Sequence, residues 1–101
     1  METKNGVNET HYDNGQLESR ANYKDNKLNG LRETWHENGK PRTKATYKDG
    51  KLDGLREWWY DNGQQWTRAI YKDGKPNDLC ELWDRYGNLS SSATYKDGVV
   101  E

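Results

Sequence analysis

Basic and aromatic side chains recur through this chain at fixed offsets, and they are its best candidates for chemistry. Arg20, Arg32, Lys44, Arg56 and Arg68 follow one another at intervals of twelve residues. Among them stand His36, Trp58, Tyr60 and Trp66. Arginine beside exposed tryptophan and tyrosine is the chemistry of protein interface hot spots, where a desolvated cation meets a partner's acid between aromatic walls. A second set is Glu9, Glu33, Glu57 and Glu81, one every 24 residues. Paired carboxylates can do acid–base work. Identical acids repeated in a row, without a nucleophile or a histidine beside them, point instead to hydrogen bonding within the fold. His11, His36 and Cys80 lack zinc-ligand spacing, so no metal, cofactor or catalytic role is expected of them.

The spacing of these residues comes from an internal repeat. Gly6, Gly30, Gly54 and Asp78 open four copies of 24 residues, spanning 6–29, 30–53, 54–77 and 78–101 behind a short leader, 1–5. Such repetition dictates a stacked architecture in which each copy touches only its neighbours. It also argues against an enzyme, because repeats lay residues out in rows rather than converging them on one point.

Each copy reads as a β-hairpin. Two runs of about seven residues flank Asn14-Gly15, Asn38-Gly39, Asn62-Gly63 or, in the fourth copy, Tyr86-Gly87. A second turn follows each Tyr-Lys-Asp-Gly-like end, as at Asp49-Gly50 and Asp73-Gly74. The expected fold is all-β: eight short strands in one elongated, twisted or curled antiparallel meander. With Asp61-Asn62-Gly63 as a three-residue loop closed by a glycine bulge, Tyr60 faces Gln64 and Trp59 faces Gln65. One face then collects Leu55, Glu57, Trp59, Gln65, Thr67, Ala69 and Tyr71, columns that barely change between copies. The other collects Arg56, Trp58, Tyr60, Trp66, Arg68 and Ile70, which vary. On this register Arg32 lies opposite Lys44 and Arg56 opposite Arg68, like-charge pairs that cost stability and ask for an anionic partner. A one-residue slip would exchange the faces.

Composition sets the remaining bounds. Leu, Ile and Val are scarce and Phe is absent, but five Trp and seven Tyr can organise a thin core. The formal charge is -1, which gives no bulk attraction to nucleic acid or to an anionic membrane. The single cysteine excludes an internal disulfide. No apolar leader or span is visible, so the expected location is the cytoplasm.

The string Tyr47-Lys48-Asp49-Gly50-Lys51-Leu52-Asp53-Gly54, followed by Leu55-Arg56-Glu57-Trp58-Trp59-Tyr60-Asp61-Asn62-Gly63, resembles the bacterial variant of the MORN repeat. The resemblance runs through residues 6–101, and its end copies depart from the pattern at His11, Asn26, Asp78 and Tyr86. It implies an interaction scaffold. One subgroup, the YwqK-type antitoxin family, implies neutralising a toxin by binding it.

The leading expectation is therefore a non-enzymatic protein-binding module that inhibits or neutralises one partner with an acidic surface. An antitoxin, an immunity protein and a phage-encoded inhibitor of a bacterial defence complex all fit. Its contact residues would be Arg32, His36, Lys44, Arg56, Trp58, Tyr60, Trp66 and Arg68. Three alternatives remain open: single-stranded nucleic acid stacking on the tryptophans, carbohydrate or cell-envelope recognition, and a structural homodimer through the constant face.

Overall fold

Two kinds of turn build the hairpins. At Asp61-Asn62-Gly63 the Tyr60 N–H donates to the Gln64 carbonyl at 2.9 Å and the Gly63 N–H to the Tyr60 carbonyl at 3.0 Å. Gly63 has φ +90°, a conformation in which a side chain would be strained. This is the expected three-residue loop, and its neighbours pair as expected, with Trp59 opposite Gln65. The other turn has two central residues. Asp49 and Gly50 both have positive φ, 50° and 83°, the backbone that matches the right-handed twist of flanking strands.

A computed structural model describes residues 4–101. The strands are β1 (Gly6–His11), β2 (Leu17–Lys24), β3 (Lys27–Trp35), β4 (Pro41–Lys48), β5 (Lys51–Trp59), β6 (Gln65–Lys72), β7 (Lys75–Trp83), β8 (Leu89–Lys96) and β9 (Val99–Val100). They pair in chain order as one open antiparallel meander. The ninth strand is an addition to the eight expected from sequence. Asp97 and Gly98 turn like the earlier Asp-Gly steps, and Val99 then pairs with Lys96.

The described residues form a single layer, 44 × 33 × 14 Å, and place no second layer over either face of the sheet. Its core is correspondingly thin. Among the described residues only Ala21, Ala45 and Ala69 are buried, at 6–8 % exposure, in a row across the sheet. The aromatic rings are mostly half-buried.

Polar contacts lock successive copies together. The Asn38 side-chain oxygen accepts from the Lys40 N–H at 2.9 Å, while its amide donates to the Asp61 carbonyl one copy on, at 2.8 Å. Asn62 does the same with Gln64 and Arg85. Tyr12, His36 and Tyr60 reach from one copy to the Trp35, Trp59 and Trp83 carbonyls of the next. The Asn-Gly step thus serves the hairpin and the stacking at once. Asp84, which holds the position of these three, bonds instead within its own turn. The Asn88 N–H and other donors there hold its carboxyl below the usual carboxylate range.

Candidate functional site

The faces are sorted by an extra residue in every second strand. Trp59 pairs with Gln65, but Trp58 pairs with Thr67, so Trp66 is bulged out of the ladder. Glu18, Arg42 and Ser90 are the corresponding extra residues in the other copies. A bulge shifts every pair beyond it by one. The pairing expected beyond the turn is corrected accordingly. Arg56 lies opposite Ala69, not Arg68, and Arg32 opposite Ala45, not Lys44. The seven constant columns do not share a face: Thr67, Ala69 and Tyr71 pair with Trp58, Arg56 and Gly54, while Leu55 and Glu57 pair with Ile70 and Arg68.

One face carries an alternating charge ladder. Following the register across the sheet, it reads Glu9, Arg20, Glu33, Lys44, Glu57, Arg68 and Glu81. Each charge sits opposite the other sign, an arrangement that stabilises a sheet. Arg20 Nε meets Glu9 Oε2 at 2.8 Å. The glutamate row thus alternates with basic residues across the strands. Lys44 and Arg68 belong to this ladder and stand apart from the rest of the expected contact set.

The other face brings together Arg32, His36, Arg56, Trp58, Tyr60 and Trp66. Trp66 packs edge-on to Trp58, with centroids 5.4 Å apart, and stacks on Tyr60 at 5.2 Å. The Arg56 guanidinium lies 4.4 Å from the Trp58 centroid and donates to the Tyr71 hydroxyl at 3.1 Å. Arg32 stands between Ala21 and Ala45, and Arg56 between Ala45 and Ala69, so neither has an acid across the strand. Among the described residues the ion pairs are Arg20–Glu9 and Arg85–Asp61, and none involves Arg32, Arg42 or Arg56.

Two clefts flank the Trp58–Trp66 ridge. The first, about 260 Å³, is lined by Arg32, Thr34, His36, Arg42, Thr43 and three tryptophans, with no carboxylate. The second, also about 260 Å³, is lined by Arg56, Ala69, Tyr71, Cys80, Glu81 and Leu82 on its side of the ridge. Burial pushes the Cys80 thiol above its ordinary pKa. Arg42 lines the first cleft, although sequence reasoning did not single it out. Its bulge position, shared with Trp66, carries it to this face.

The described residues bring together cations and aromatic walls, an arrangement that can bind. Among the described residues no group of three His, Cys, Asp or Glu could hold a metal ion. Nor is any helix there long and apolar enough to cross a membrane.

Residues 4–25, 28–49 and 52–73 match the MORN repeat variant, three tandem segments covering about two thirds of the chain. The fourth copy, with Asp78 and Tyr86 in place of Gly and Asn, lies outside the matched segments. No curated protein matches the chain. With the matched segments in phase with the hairpins, the chain belongs to the MORN repeat variant family.

Proposed function

We propose that this protein neutralises or inhibits one partner protein by binding it through the arginine–tryptophan face of copies two and three. Repeats of this family are typically binding modules, generally without catalysis. The observation that carries the reading is the first cleft. Two arginines, a histidine and three tryptophans line it with no carboxylate to compensate them. A partner presenting acids supplies the missing charge, and the aromatic walls exclude water around the pair. The module would then act as an antitoxin, an immunity protein or a phage-encoded inhibitor does, by covering its partner's working surface.

The state of the rings favours protein over nucleic acid. Trp66 is packed against Trp58 and Tyr60, and Arg56 lies over Trp58. Rings engaged in this way offer less free face for base stacking than separate exposed rings do.

The test is affinity capture from the source cell, with nuclease-treated and untreated lysates, beside the Arg32→Glu/Arg42→Glu variant. One stoichiometric protein, retained after nuclease and lost with the folded variant, is the expected result. Recovery of nucleic acid alone, or a partner held equally by the variant, would contradict the proposal.

A further inference from the structure

The two clefts share a backbone plan but not a chemistry. On the arginine–tryptophan face the odd-numbered strands place Thr10, Thr34, Trp58 and Leu82 in one row and Asn8, Arg32, Arg56 and Cys80 in the next. On these strands the surface passes from cationic and polar at copy two to apolar at copy four, with Arg56 and Glu81 still in the lining of the second cleft. The Trp58–Trp66 ridge is the divide. On its apolar side Leu82 is 42 % exposed, and Trp66 itself is 39 % exposed. The Cys80 thiol lies beside them in the lining of the second cleft.

We propose that the clefts form one two-pronged site for a partner segment with a carboxylate and a large apolar side chain about 10 Å apart, the two strand spacings that separate Arg42 on β4 from Trp66 on β6. The carboxylate enters the cleft at Arg32 and Arg42. The apolar side chain crosses the ridge and packs against Leu82 and Trp66. The proposal rests on the reading that this face binds protein, and it adds the partner's chemistry and spacing. Complementary charge on one side and apolar area on the other fix the segment's orientation. Neither cleft alone would do so.

A helical ruler tests the spacing. Alanine/glutamine-rich helical peptides are made with one Glu and one Leu placed three, seven or eleven positions apart. At 1.5 Å per residue these set separations of about 4.5, 10.5 and 16.5 Å. Each is titrated into the intact protein while the Trp58 and Trp66 indole N–H signals are followed by NMR. The seven-position ruler is expected to bind at least tenfold tighter than the others and to shift both indoles. Replacing its Glu by Lys should remove that advantage on the wild-type protein, and Arg32→Glu/Arg42→Glu should reverse the preference for Glu over Lys. Leu82→Glu should weaken the Leu-bearing ruler and leave a ruler with Ala at that position unchanged. Equal affinity for the three rulers, or unmoved indole signals, would overturn the two-pronged site. If a cellular partner is still captured through Arg32 and Arg42, the binding role stands without it. If the rulers discriminate and no cellular protein is captured, the site stands and the neutralising role fails.

Discussion

Arg68→Glu is the substitution whose sign depends most directly on the bulge at Trp66. In the structure Arg68 lies between Glu57 and Glu81. Reversing it removes two opposite-charge pairs and sets three glutamates in line. Each cross-strand pair is worth roughly 0.2–1 kcal/mol, and like charges oppose by a similar amount. Arg68 is exposed, so screening by solvent and salt reduces the total. A net loss of about 1 kcal/mol remains at low salt, a fall in Tm of about 4–8 °C for a domain of this size. Without the bulge Arg68 would face Arg56, and the same substitution would stabilise the protein. Thermal unfolding followed by circular dichroism at low and high salt separates the cases. The expected fall shrinks with salt, and Glu81→Arg added to Arg68→Glu restores part of it, since Glu81 has only Ser92 on its other side. An unchanged or raised Tm at low salt would refute the ladder.

Three further outcomes follow from local structure. Asp78 holds φ +97° where Gly30 and Gly54 stand in other copies, so Asp78→Gly should raise stability by about 0.5 kcal/mol, read as a higher urea midpoint. That net figure allows for the lost bond from the Leu79 N–H to Asp78 Oδ1. Asn38→Ala removes both the turn bond to Lys40 and the bridge to Asp61, and should cost about 1–2 kcal/mol in the same assay. Cys80 titrates higher folded than unfolded, because burial disfavours the thiolate. Its contribution to stability is therefore full below the unfolded pKa and is lost as pH rises through the folded one. Alkylation at alkaline pH should be slower in the native protein than in urea, and Cys80→Ser should remove this part of the alkaline loss of stability.

The turns and the strand order were legible because their chemistry is local. Asn62-Gly63 specifies its three-residue loop, and Asp49-Gly50 specifies a turn with two positive φ angles. The pairing next to the first loop, Trp59 with Gln65, was legible for the same reason. The bulge was not, because no residue type marks it: Glu18, Arg42, Trp66 and Ser90 occupy the same position. Sorting columns by constancy misled, since both faces carry constant rows. Ala21, Ala45 and Ala69 repeat on one, and Glu33, Glu57 and Glu81 on the other. A better signal was present in the charges. Arg56 opposite Arg68 is a repulsive pair, and a shift of one residue turns it into Glu57 opposite Arg68. The same shift would have moved Lys44 out of the contact set.

On the proposed reading, charge segregation between the faces leaves one of them free to take an acidic partner. The direct measurement is the affinity of the captured partner for two double variants of equal charge change. Arg32→Glu/Arg42→Glu alters the cleft face, and Lys44→Glu/Arg68→Glu alters the ladder face. With both variants shown to be folded at the assay temperature, the first should lose binding and the second retain it. Loss confined to the ladder variant, or equal loss in both, would contradict the assignment of the binding surface.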